Sequence, residues 1–86
     1  MISIIEKYMN NLKLEDISSF ANSKNCYLNQ QELEFTYNFI KKNWKDVLQN
    51  PSLLDLNHYK KFYSEENFYK IKRIYNEYSQ KFSTLL

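Results

Sequence analysis

The chain has 86 residues and a formal net charge of +2, with 43% hydrophobic and 26% charged residues. This length predicts one domain, residues 1–86, and the balanced composition is neither that of a disordered chain nor that of a membrane protein. The small net charge disfavours a polyanionic partner, because non-specific nucleic-acid binding requires several clustered phosphate contacts.

The first third of the chain predicts two short helices. Glycine is absent and proline occurs once, which disfavours strands joined by tight turns that need positive φ. The apolar residues of the first helix, residues 2–11, follow helical spacing: Ile2, Ile5, Met9 and Leu12. Leu14, Ile17 and Phe20 predict a second helix over residues 14–24, with two acids in its first turn.

The middle of the chain predicts an extended connector followed by a long helix. In the connector, residues 25–29, Cys26 points to one side and Tyr27 to the other. Asn29 followed by Glu32 is a capping-box arrangement, so the third helix is expected over residues 30–48.

The last third of the chain predicts two more helices. Pro51 ends the third helix and suits the first turn of a fourth, over residues 51–62. Ser64, which two glutamates follow, is an N-cap and opens a fifth helix over residues 64–83. The apolar stripe of this fifth helix contains Phe68, Ile71, Tyr75, Tyr78 and Phe82.

These elements predict an all-α fold, a compact bundle of four to five short helices. The stripes of the two longest helices supply the expected core, which consists of Leu33, Ile40, Trp44, Ile71 and Tyr75. A monomer is favoured, and the alternative is that the stripe of the fifth helix pairs with a second copy of the chain.

The sequence offers little for catalysis. Cys26 with His58 as its base is the one nucleophilic pair, but a lone Cys in an apolar connector is usually a buried, inert hydrophobe. One Cys and one His cannot form a Cys/His zinc site, and phosphate-binding loops need glycine. We therefore expect no enzyme and no catalytic, metal-binding or cofactor-binding residues.

Nucleic-acid binding is the weaker of two non-enzymatic interpretations. Residues 41–86 hold nine basic residues against five acidic ones. Half of the chain is Asn, Lys, Ile, Tyr and Phe, which indicates an AT-rich genome and explains much of this Lys content. Lysines at predicted helix ends are also favoured by the macrodipole. The candidate phosphate contacts that remain are Lys70, Lys72, Arg73 and Lys81.

The central segment combines an acid-rich helix start at Glu15 and Asp16, the Asn25-Cys26-Tyr27-Leu28 connector, and a capped helix that carries Glu32. In this combination it resembles a family of small uncharacterised proteins of low-GC Gram-positive bacteria. An Asn-Pro break and a final helix rich in Tyr and Lys extend the resemblance over about residues 10–82. It implies a helical fold and a bacterial, cytoplasmic setting, and it transfers no functional residues.

The sequence thus predicts a small cytoplasmic helical protein that acts by protein–protein contact, through an unknown partner or by self-association. The alternative is a weak nucleic-acid-binding accessory protein that uses its basic C-terminal half. No membrane contact is expected. A contiguous exposed apolar patch would favour the first interpretation, and a continuous positive groove would favour the second.

Overall fold

The computed structural model describes residues 2–85, except for the side chains of Ile2, Leu53 and residues 82–85. The regular elements of this range are all helical, which confirms the all-α bundle. The α-helices are α1 (Ile2–Asn10), α2 (Leu14–Ser23), α3 (Gln30–Gln49) and α4 (Glu65–Leu85). The radius of gyration is 12.6 Å, which is that of a compact domain.

The helix starts follow the side chains that cap them. At α3, Asn29 Oδ1 accepts from the Glu32 N–H at 2.8 Å, and Glu32 Oε1 accepts from the Asn29 N–H at 2.9 Å. At α4, Ser64 Oγ accepts from a backbone N–H of the first turn at 3.1 Å. At α2, Asp16 reaches back to the Lys13 N–H at 2.9 Å, and the Lys13 ammonium offers no acceptor in return.

The connector begins with a helix-ending turn. Asn25 has φ of +61°, a left-handed conformation that Asn tolerates better than most residues. The Cys26 N–H donates to the Ala21 carbonyl, and the Asn25 N–H donates to the Asn22 carbonyl. This is the Schellman pattern, and it turns the chain so that Cys26 enters the interior.

The fourth predicted helix differs from the structure. Residues 51–63, which we call the strap, contain two 3₁₀ segments, Pro51–Leu53 and Leu56–Phe62, in place of one α-helix. Asp55 Oδ1 accepts from the Asn57 N–H at 3.0 Å and starts the second segment. Its apolar residues, Leu56, Tyr59 and Phe62, recur every three positions, which matches the three residues per turn of a 3₁₀-helix.

The five residues expected in the core are only partly buried, and they are not the most enclosed apolar residues. Leu33, Ile40, Trp44, Ile71 and Tyr75 are all partly exposed, whereas the most enclosed apolar residues are Leu12, Ile17, Ala21, Cys26 and Phe68. A domain this small can cover few residues on every side. The neighbours of α3, which are α1, α2, the strap and α4, each cover only part of its surface. The side chains of Ile2 and Phe82, both in predicted stripes, lie outside the described residues.

Within residues 2–85, none of the helices combines the length and the apolar character that crossing a bilayer requires.

Candidate functional site: a buried polar hub and two exposed surfaces

A buried carboxylate lies where α3 and α4 begin. The Glu32 side chain is 2% exposed, and its two oxygens accept three hydrogen bonds. Oε1 accepts from the Asn29 N–H at 2.9 Å and from Asn67 Nδ2 at 2.8 Å, and Oε2 accepts from the Ser64 N–H at 2.7 Å. Because Asn29 and Ser64 precede the first turns of α3 and α4, one side chain joins the starts of both long helices.

The connector is tied to the same group through Asn67. Asn67 Nδ2 also donates to the Tyr27 carbonyl at 3.0 Å, and the Cys26 thiol points to Asn67 Oδ1 at 3.8 Å. Every buried side-chain nitrogen and oxygen among the described residues has a hydrogen-bond partner. We call Glu32, Asn67, Asn29, Ser64 and Cys26 the hub.

The electrostatics of the hub favour an ionised carboxylate. Burial opposes ionisation, but hydrogen bonds from the Asn29 and Ser64 backbones and from the Asn67 side chain outweigh it and lower the pKa of Glu32. The positive ends of two helix dipoles act in the same direction. The Lys70 ammonium, the cation beside the hub, bonds instead to the Asn25 carbonyl at 2.7 Å.

The acid and the thiol of the hub are shielded from substrates. Cys26 is 0% exposed, and burial raises the pKa of its thiol. His58 lies on the strap and faces Asp55 at 3.8 Å, so the polar contacts of Cys26 and His58 are separate. Among the described residues, no three His, Cys, Asp or Glu side chains gather as a metal site needs. The arrangement can hold helices together, and its acid and thiol are out of reach.

The four candidate phosphate contacts of α4 do not lie together on one face. Lys70 and Lys81 share one side, where Glu77 lies between them and bonds to Lys81 at 3.4 Å. Lys72 is about 160° around the helix axis from Lys70 and contacts Asn57 of the strap at 3.4 Å. Arg73 is exposed to solvent. An acid therefore interrupts the basic stripe.

The outer side of α1 is apolar where two side chains meet. Ile4 and Tyr8 are 72% and 63% exposed, and because they are one helical turn apart their side chains are neighbours. Lys7 lies between them in the sequence and is also exposed. We call Ile4, Lys7 and Tyr8 the α1 face.

The strap forms a second exposed surface, in which two basic residues lie between aromatic ones. Its sequence from Tyr59 to Tyr63 is Tyr-Lys-Lys-Phe-Tyr, and both lysines and Phe62 are exposed. A shallow, open concavity of about 590 Å³ lies over it, lined by Asn57, His58, Lys60, Lys61, Tyr63 and Glu65. Beneath the strap, the aromatic rings of Phe35, Phe39, Tyr59 and Phe62 pack against one another.

Comparison of the chain with family models, with curated proteins and with solved structures finds no significant match. The resemblance to a family of low-GC Gram-positive bacteria stays a prediction.

Sequence reasoning missed parts of each site. It identified the Asn29–Glu32 capping box but not the hydrogen bond that the Ser64 N–H donates to Glu32, because those residues are 32 positions apart. It assigned Lys60 and Lys61 to the end of an α-helix, where the macrodipole would explain them. The three-residue spacing of Leu56, Tyr59 and Phe62 was the available signal for the 3₁₀ strap.

Proposed function

We propose that the chain is a non-enzymatic protein-binding module of the cytoplasm, which contacts its partner through the α1 face. The observation that carries this proposal is the pair of Ile4 and Tyr8, which are adjacent and both more than half exposed. Large apolar side chains that stay exposed next to each other favour a contact with another macromolecule. Tyr is also among the residues that most often dominate binding at protein interfaces.

The attachment of α1 to the bundle supports this role. The Lys41 ammonium donates to the Met9 and Asn10 carbonyls at 2.8 and 3.3 Å, and the Lys45 ammonium pairs with Glu6 at 2.9 Å. The two Lys41 hydrogen bonds satisfy carbonyls at the C-terminal end of α1 that have no partner within the helix, and the Lys45–Glu6 pair adds a second link between α3 and α1. The helix is fixed on its inner side while Ile4 and Tyr8 point outward.

The burial of the most reactive side chains favours a binding function over a catalytic one. Glu32 and Cys26 are enclosed in the hub, where their hydrogen bonds serve the packing of α3, α4 and the connector. A partner that accepts one face of a short helix in an apolar groove matches the size and spacing of the α1 face. The polar side chains around it, including Lys7, would form the rim of such an interface.

Photo-crosslinking tests this function. A photoreactive phenylalanine analogue at position 8 is expected to capture a partner in lysate of the source organism. The same analogue at position 69 is the control, because Tyr69 is 65% exposed on α4 and lies apart from the α1 face. The combined change Ile4→Ser and Tyr8→Ser is expected to abolish affinity capture of that partner while the circular dichroism spectrum is retained.

Two outcomes would contradict the proposal. One is that position 69 captures the same proteins as position 8 with equal yield. The other is that the folded Ile4→Ser, Tyr8→Ser variant captures the partner as well as the unchanged chain does. Tyr69→Ser is the control for a change of an exposed aromatic residue outside the α1 face, and it is expected to capture the partner normally.

A further inference from the structure

The strap presents an aromatic ring that is stacked on a second ring and is still partly exposed. The Phe62 ring stacks on the Phe35 ring with centroids 4.2 Å apart and an angle of 12° between the planes. Phe62 is nevertheless 42% exposed, so its outer face is turned toward solvent. Tyr59 and Tyr63 both lie 5.8 Å from the Phe35 ring and brace it from two sides. The result is a flat and rigid π surface.

Cations flank this surface. Lys60 and Lys61 directly precede Phe62, and the Lys61 ammonium lies over the Phe62 ring, 5.4 Å from its centroid. Neither lysine has an acid within ion-pair distance among the described residues, unlike Lys24, Lys45, Lys70 and Lys81. The acids nearby are Asp55, which faces His58, and Glu65 at the rim of the concavity. Two positive charges therefore remain beside the open ring.

We propose that the strap binds single-stranded nucleic acid, with a base stacked on the outer face of Phe62 and the neighbouring phosphates on Lys60 and Lys61. Proteins that bind single strands combine stacking on aromatic side chains with a cationic path for the backbone. A duplex covers the faces of its bases, so it cannot continue the Phe35–Phe62 stack. An acidic peptide would use the two lysines but leave the ring face unfilled.

This surface is distinct from the α1 face. On α3, Tyr37, Lys41 and Lys45 point toward the α1 side, while Phe35 and Phe39 contact the strap. At 100° per residue the two sets lie about 140° apart around the helix axis. A protein partner and a single strand can therefore be bound at the same time, on opposite sides of the bundle.

Fluorescence anisotropy with a labelled strand of about eight thymidines, in about 50 mM salt, tests the inference. An abasic strand of equal length has the same phosphates without the rings, and it is expected to bind about 5- to 150-fold more weakly. The corresponding duplex is also expected to bind more weakly than the single strand. Equal affinity for the thymidine and abasic strands would overturn the stacking inference.

Variants separate the ring from the charges. Phe62→Ala is expected to lower affinity for the thymidine strand by about the same factor as removal of the bases, and Phe62→Trp, which keeps both stack and packing, is expected to retain binding. Lys60→Glu with Lys61→Glu is expected to weaken binding at least about 10-fold and to reduce the slope of log affinity against log salt by about 1.4.

The matched control reverses the same number of charges elsewhere. Lys13→Glu with Lys81→Glu changes the net charge equally, and both lysines are exposed, Lys13 before α2 and Lys81 on the side of α4 opposite Lys72, which contacts the strap. This control is expected to bind the strand within about 2-fold of the unchanged protein, because long-range charge effects are screened at this salt concentration. Equal losses in the two double variants, competition by polyglutamate as strong as by the strand itself, or no saturable binding would each overturn the proposal.

Discussion

Replacing Glu32 with Gln is expected to lower the free energy of unfolding by about 2 to 4 kcal/mol at neutral pH. Gln has the same shape, but one of its oxygens is replaced by an NH₂ group that can only donate. Whichever way the amide is turned, a nitrogen then faces the donors of Asn29 and Asn67 or the N–H of Ser64. Buried donors without acceptors are costly, and the Asn67 amide that donates to Glu32 is itself buried.

Urea denaturation followed by circular dichroism at 222 nm measures this loss. Glu34→Gln is the control, because it removes the same charge from the same helix at an exposed position. The control is expected to stay within about 0.5 kcal/mol of the unchanged protein. Equal midpoints for Glu32→Gln and Glu34→Gln would show that the hub does not hold the helices together.

Replacing Phe68 with Ala is expected to lower the free energy of unfolding by about 3 to 5 kcal/mol, the range for removing a buried aromatic side chain. Phe68 is the most buried aromatic residue of the described part of the chain, and its ring centroid lies 6.4 Å from that of Tyr63. It lines the small void under the strap together with Phe35, Phe39 and Ile71. Its removal would enlarge that void and loosen the strap on α4.

The next residue in the chain is the control. Tyr69→Ala removes an aromatic ring of similar size from the exposed side of α4 and is expected to change stability by no more than about 0.5 kcal/mol. Trp44→Ala is expected to cost less than Phe68→Ala, because Trp44 is partly exposed. Thermal melts that rank Tyr69→Ala or Trp44→Ala above Phe68→Ala would contradict the packing described for α4.

Local signals in the sequence were sufficient for the helices that carry caps. Asn29 with Glu32 marked the start of α3, and Ser64 marked the start of α4 to within one residue. These signals act over three or four residues, so they can be recognised without knowledge of the tertiary structure. The Schellman turn at Asn25 depends on a positive φ that composition alone does not reveal.

The core and the hub depended on how the helices pack. A helical stripe shows which side chains share a face, but not which part of that face a neighbouring helix covers. For this reason Trp44 was expected to be buried, whereas Phe68 and Glu32 are more enclosed than Trp44 in the structure. An acid in the first turn of a helix is normally a solvated partner of the dipole. Only the approach of α4 turns Glu32 into the group that joins two helices.

The exposed surfaces of α4, α1 and the strap could also not be predicted from local sequence patterns. The sequence offers four basic residues of α4 as candidate phosphate contacts, but it does not show that Glu77 bonds to Lys81 and lies 3.6 Å from Lys24 of α2. The exposed pair on α1 results from the way in which Lys41 and Lys45 orient that helix. The strap leaves Lys60, Lys61 and Phe62 exposed, and its turns contain three residues instead of 3.6.

The ionised Glu32 carboxylate fixes α3, α4 and the connector relative to one another, and the strap, which packs on both α3 and α4, depends on that arrangement. Because the pKa of Glu32 is lowered on folding, its contribution to stability is present above the unfolded value of about 4.3 and is lost as the pH falls through the lower, folded value. The free-energy difference between the unchanged protein and Glu32→Gln is therefore expected to shrink as the solution is acidified through this window.

Titration of the Glu32 side-chain carboxyl carbon by ¹³C NMR tests this arrangement most directly. The expected result is a midpoint below about 4.3, with the Ser64 amide proton shifting at the same pH because it is bonded to Oε2. Glu34, exposed on the same helix, provides the internal comparison. A Glu32 midpoint at or above 4.3, or a Ser64 amide that does not respond to the titration, would contradict the hub.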